Sequence, residues 1–170
     1  MRIKPNYILI PLVTVIVALL GSFFTEMGMD WYNQTLVRPE LTPPRWVFPV
    51  VWNGIFILTT ASALIVWNKE KRDIKFLWFR FKRTPDAKFW VIISLFALNA
   101  VLNVLWSLLF FGMREICAAF TEMVILEVTI LLLIALIWRI SKIASLALLP
   151  YALWVGFATY LTYLIASLNL

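Results

Sequence analysis

Residues 116–138 read ICAAFTEMVILEVTILLLIALIW, a stretch without glycine or proline in which Glu122 and Glu127 are the only charges. As an α-helix it is ~35 Å long, enough to cross the ~30 Å hydrocarbon core of a bilayer. Four more apolar runs share the chain: Tyr7 to Phe24, Phe48 to Trp67, Phe89 to Phe111 and Ser145 to Leu168. Each is continuous, whereas the strands of a membrane barrel are ~10-residue segments of alternating character. The expected fold is therefore an all-α integral membrane protein, a bundle of five transmembrane helices forming a single domain over residues 1–170.

The composition supports a lipid solvent. Hydrophobic residues make up 63% of the chain against ~45–50% in soluble domains, and charged residues only 14% against ~25%. The same counts exclude much chemistry. Without a single histidine, a His-ligated metal, an axial-His haem and a Ser-His or Cys-His dyad have no ligand or base. The one cysteine, Cys117, forms no intrachain disulfide and no Cys-x-x-Cys motif. None of the five glycines builds a phosphate-binding loop. No metal, cofactor or conventional catalytic constellation is expected. Aromatics are in excess instead: nine Trp, thirteen Phe and five Tyr.

Arg2 and Lys4 ahead of the first run resemble the start of a signal peptide, but the run is too long for a typical h-region, so it is taken as a membrane span. Because spans alternate sides, the N-terminus, the 68–88 connection and the 139–144 turn share one face. That face carries twelve Lys and Arg; the opposite face carries three, Arg38, Arg45 and Arg114. The positive-inside rule then puts the N-terminus inside and the C-terminus outside. Residues 68–88 mix eight of these cations with Phe76, Trp78, Phe79 and Phe81. This pattern suits an amphipathic segment resting on anionic headgroups better than one binding nucleic acid.

On the Lys/Arg-poor side, the connection from Met29 to Arg45 holds Trp31, Tyr32, Pro39, Pro43 and Pro44. Prolines stiffen it, and a connection of this length normally has a function. It is expected to form a lid over a cavity, although an interfacial aromatic belt would use the same residues. Within the spans, Asn99, Asn103, Trp106 and Phe110 fall on one face of the third helix. The amides either bond neighbouring helices or meet a ligand in an aromatic pocket. Glu122 and Glu127 project about 140° apart, so only one faces the bundle interior from the same stretch; Glu122 is the better cavity candidate. Trp52 with Phe56, and Trp154 with Phe157, form further aromatic stripes.

Three blocks together resemble the TspO/MBR family of tryptophan-rich sensory and translocator proteins, formerly called peripheral-type benzodiazepine receptors. They are RPELTPPRWVFPVVW over residues 38–52, LNAVLNVLWSLLFF over 98–111 followed by Arg114, and LPYALWVGFATY over 149–160, closing with Leu168-Asn169. The resemblance implies a five-helix bundle, usually a homodimer, whose pocket beneath the first long loop takes porphyrins, sterol and similar planar apolar ligands. It implies a ligand site of Trp52, Asn99, Asn103, Glu122 and Trp154, with Trp31, Tyr32 and Pro43 contributed by the lid. Trp52 and Trp154 resemble tryptophans linked to light-dependent oxidative breakdown of protoporphyrin in some members. Leu41, Phe56, Glu127 and Thr162 depart from the family pattern. No Lys or Arg follows Tyr163, so the L/V-x-Y-x-K/R sterol pattern is missing there and a porphyrin is preferred over a sterol. The alternatives are a proton-coupled transporter using Glu122 or Glu127 and a scaffold whose aromatics only pack.

Overall fold

The structure, a computed structural model, describes residues 5–70, 74–76, 79–81 and 86–169. Among these, five helical segments are long and apolar enough to span a membrane. They are α1 (Asn6–Gln34), α2 (Val47–Glu70), α3 (Ala87–Ser107) with the π-helical turn that continues it (Leu108–Gly112), α4 (Ile116–Trp138), and the pair α5 (Lys142–Leu146) and α6 (Leu149–Asn169). The chain is a multi-pass integral membrane protein, and the expected helical class holds.

Three expectations change in detail. First, α1 does not stop at Phe24 but runs ten residues further, so Trp31 and Tyr32 belong to its last turns and not to the loop. Gly28 looks like a break in the sequence, yet it is a packing site. A Cβ there would lie 2.7 Å from Phe111 Cα, so only glycine lets the π-helical turn come this close. Second, part of the 68–88 connection is a hairpin. Strand β1 (Ile74–Phe76) pairs antiparallel with β2 (Phe79–Phe81), Lys75 opposite Arg80. Lys71, Arg72, Trp78, Lys82 and Arg83 lie outside the described residues. Third, the fifth span is broken before Pro150. Pro150 is the second residue of α6, where its missing N–H costs no helix bond.

Short polar contacts fix the ends. Asp86 caps α3 by accepting from the Phe89 N–H at 2.9 Å. Ser145 Oγ donates to the Ile134 carbonyl at 2.7 Å, and Ser62 Oγ to the Ala144 carbonyl at 2.8 Å, tying α5 to α4 and α2. Elsewhere α2 approaches α3 and α6 at few points, whereas α4 runs closely along both. Apolar packing divides by depth. One cluster lies near the loop (Tyr32, Phe110, Phe111, Ile116, Leu161), a second in the middle (Ile55, Leu102, Met123, Leu126, Tyr151), and a third toward the α5 end (Val66, Ile92, Leu133, Ile137, Leu148).

The π-helical turn carries Phe110 and Phe111, adjacent in sequence and both buried. It is followed by Arg114 at φ 62°, a left-handed conformation rare for a side chain of this size.

Gly28→Ala is expected to destabilise the protein by about 1–3 kcal/mol through overpacking against Phe111. Gly54→Ala, whose Cβ would meet nothing within 4 Å, is expected to be neutral or slightly stabilising. Thermal unfolding in detergent separates the two.

Candidate functional site

The loop from residue 35 to 46 is held at both ends. Asn169, the last residue of α6, grips the backbone of one residue from both sides: its Oδ1 accepts from the Val37 N–H at 2.9 Å and its Nδ2 donates to the Val37 carbonyl at 2.9 Å. The same Nδ2 donates to the Ile165 carbonyl at 2.8 Å, which anchors the amide on α6. Further along, the Thr42 N–H and hydroxyl both donate to the Pro39 carbonyl, at 3.0 and 2.7 Å, closing a tight turn. Pro43, half-buried, follows that turn. Two guanidinium groups lie on aromatic faces beneath: Arg38 is 5.3 Å from the Tyr32 centroid and Arg114 5.9 Å from that of Trp31.

Below the loop the aromatics meet in series. Trp31 and Tyr32 pack on Phe110, at 5.9 and 6.2 Å. Phe110 stacks on Trp106 at 5.5 Å with a 21° interplanar angle. Across the bundle, Phe48 meets Trp154 at 5.8 Å, and Trp154 meets Phe157 at 5.5 Å. Trp52 packs against Phe56 and Tyr151, at 5.6 and 6.2 Å. Rings therefore fill much of the space that α2 leaves between itself and α3 and α6. Within this enclosure Trp106 Nε1 and Trp154 Nε1 are buried donors without an acceptor. Glu122 is buried as well, and neither carboxylate oxygen has a hydrogen-bond partner. Glu127 is only half-buried, in keeping with the opposed projection of the two carboxylates.

The two asparagines form a node. Asn103 Nδ2 donates to Tyr151 Oη at 2.5 Å and faces the Asn99 carbonyl and Oδ1 at 2.7 and 3.2 Å. The Tyr151 hydroxyl donates to Asn99 Oδ1 at 3.1 Å. Asn99 Nδ2 donates to Thr129 Oγ1 at 3.1 Å, and that hydroxyl donates to the Leu126 carbonyl at 2.7 Å. The amides thus bond α3 to α4 and α6, one of the two roles open to them in the sequence. Asn103 Oδ1 is left over, buried and unpartnered.

The structure brings Trp31 and Tyr32 together with Trp106 through Phe110, and Trp52 together with the Asn99–Asn103 node through Tyr151. Glu122 and Pro43 form no hydrogen bond with any of them. A cavity of about 480 Å³, open to the surface along α1, lies elsewhere, between α1, α2 and α3 on the Lys/Arg-rich side. It is walled by Asn99, Asn103 and Tyr151 but by none of Trp31, Tyr32, Pro43, Trp52, Glu122 or Trp154. Sequence reasoning missed Tyr151, although it stands in the LPY block, and missed the grip of Asn169. A tyrosine two residues after a helix break and an asparagine closing the last span were the available signals.

Five apolar helices around a tryptophan-rich enclosure, capped by a proline-rich loop, define a class of small helical membrane proteins. Comparison with known sequences places the chain within it. The sequence profile of the TspO/MBR family matches residues 8–168, and the chain belongs to that family. It is 38% identical over 153 residues to the tryptophan-rich protein TspO of Chlorobaculum tepidum, covering 88% of this chain and 86% of the relative. It is 24% identical over 140 residues to the tryptophan-rich sensory protein of Cereibacter sphaeroides, covering 82% and 77%. With the human translocator protein it shares 27% identity over 144 residues, covering 84% and 78%.

Two outcomes follow from this geometry. Tyr151→Phe is expected to lower stability by roughly 0.5–1.5 kcal/mol, the range of interhelical hydrogen bonds in membranes, measurable by thermal unfolding. Asn169→Ala releases Val37, and trypsin cleavage after Arg45 is expected to become about tenfold faster, the factor given by roughly 1.4 kcal/mol of lost loop stability.

Proposed function

We propose that the protein binds planar, largely apolar, anionic ligands of the porphyrin type in the aromatic enclosure beneath the 35–46 loop. The observation that carries this reading is the pair of buried indole donors, Trp106 Nε1 and Trp154 Nε1, without acceptors amid stacked rings. A buried donor without a partner costs about 1–3 kcal/mol, and a ligand oxygen relieves that cost. A macrocycle exchanges ring–ring contacts for ring–ligand contacts between Trp52 and Trp154. Because α2 touches α3 and α6 at few points, it yields to admit such a ligand more readily than α4 would. The acidic edge belongs toward the loop, where Arg38, Arg45 and Arg114 supply the only cations on that side. The twelve-to-three distribution of Lys and Arg orients the loop outward and the N-terminus inward. The homodimer and the bacterial inner membrane belong to the same reading.

Titration of the purified protein with protoporphyrin is expected to quench tryptophan fluorescence saturably. Trp52→Phe combined with Trp154→Phe is expected to weaken binding by about tenfold; unchanged affinity would remove the enclosure as the site.

The buried, unpartnered carboxyl of Glu122 favours a second reading, proton-coupled transport. Liposome uptake of protoporphyrin that follows a pH gradient and is lost in Glu122→Gln supports it. Uptake indifferent to both leaves binding alone.

A further inference from the structure

We propose that the chamber between α1, α2 and α3, which adjoins the aromatic enclosure across Phe56 and Tyr151, is a second ligand site that takes a neutral single-chain lipid bearing a hydroxyl head, such as a long-chain alcohol. Its walls run from Pro5 to Val17 on α1, from Phe56 to Trp67 on α2 and from Ile93 to Asn103 on α3. At 1.5 Å per residue the longest of these walls is ~18 Å. A volume of about 480 Å³ spread along ~18 Å of wall makes an elongated slot, a shape that seats one extended alkyl chain lengthwise.

Charge decides between lipid classes. Among the described residues no Asp, Glu, Lys or Arg lines the slot, and the polar ones are neutral, Thr59, Asn99, Asn103 and Tyr151 among them. An ionised head would be buried there without a counter-charge, at a cost of several kcal/mol. That excludes fatty-acid carboxylates and the porphyrin acids assigned to the other site.

The position of the head follows from two atoms. Thr59 Oγ1 and Asn103 Oδ1 are buried, without hydrogen-bond partners. Both residues stand at the mid-membrane end of the slot, near where the α2 wall begins and the α3 wall ends. Asn103 Oδ1 only accepts and Thr59 Oγ1 both donates and accepts, so a hydroxyl complements the pair. The chain then runs back along Val13 and Leu9 toward Pro5 and Trp67.

Entry is from the bilayer, past α1. Leu9 and Val13 line the slot while remaining half-exposed at the lipid-facing surface. On this half of the bundle α1 is held to α2 by a few polar pins. These are the Thr14–Thr60 hydroxyl pair at 2.8 Å and the Asn68 side chain, whose Nδ2 donates to Tyr7 Oη at 3.0 Å. Its close backbone approach, Gly28 on Phe111, lies at the other end. The α1 helix can therefore swing at its N-terminal half without disturbing the loop side.

The test is photolabelling of the full chain in lipid nanodiscs with a diazirine analogue of hexadecan-1-ol, followed by peptide mapping. Labels are expected within residues 5–17, 56–67 and 93–103. Excess hexadecan-1-ol should displace them at least about tenfold more effectively than hexadecyl sulfate or hexadecane. Thr59→Val should lower the affinity about threefold to tenfold. Ala97→Phe, which fills the slot from an exposed position on its wall, should abolish labelling while thermal unfolding shows an intact fold. The proposal is overturned by labels scattered over lipid-facing surfaces without competition, by labelling that survives Ala97→Phe, by affinity unchanged in Thr59→Val, or by equal displacement with the sulfate or with a sterol. None of these outcomes depends on protoporphyrin binding, whose loss in the Trp52/Trp154 variant is read separately.

Discussion

In a hydrocarbon solvent the carboxamide of Asn103 has no water to turn to, so its hydrogen bonds must come from the protein. That constraint builds the centre of the molecule. Asn103 and Asn99 sit one turn apart on α3, and each reaches a different neighbour, Tyr151 on α6 and Thr129 on α4. Apolar packing alone does not set the mutual rotation of helices strongly, because lipid tails are as apolar as the side chains they replace. The node supplies the missing specification. It fixes α3, α4 and α6 as a firm unit, and by leaving α2 out of the node it leaves one side of the bundle loosely filled, where both candidate sites lie.

The same solvent explains what could be foreseen. The span from Ile116 to Trp138 is bounded in the sequence as in the structure, because a charged residue flanks it at each end, Glu115 and Arg139. That only one of Glu122 and Glu127 is fully buried accords with their helical spacing. The extension of α1 beyond Phe24 did not show, because the apolar run stops at Thr25-Glu26 while the helix continues to Gln34. Trp31 and Tyr32 consequently moved from loop to helix. The slot beside α1 was invisible for a deeper reason. A helix facing lipid on one side and protein on the other is apolar all round, so no amphipathic stripe marks its inner face. Only Thr14 and Thr60 hinted at it, and a pair of hydroxyls is too common in membrane helices to localise a cavity.

The loop side is legible in a different way. Motif residues there act mostly on backbone. Asn169 grips the Val37 backbone, and the Pro39 carbonyl receives two donors from Thr42. Such contacts depend on position more than on bulk, which is why the RPELTPP block and the closing Leu168-Asn169 belong together although more than a hundred residues separate them. Two of the three cations of this side, Arg38 and Arg114, rest on tyrosine and tryptophan faces, an arrangement that spares them a full hydration shell at the membrane boundary.

The π-helical turn at Leu108–Gly112 has a consequence for how this chain tolerates change. A π turn holds one residue more than an α turn, and each α-helical residue contributes about 100° of rotation. Winding the same five residues as a regular α-helix would swing everything beyond them by about that angle, carrying Arg114 off Trp31 and Phe111 away from Gly28. What the segment encodes is thus a phase: the wide turn absorbs one extra residue, and the ring stack under the loop stays aligned as long as that turn stays wide.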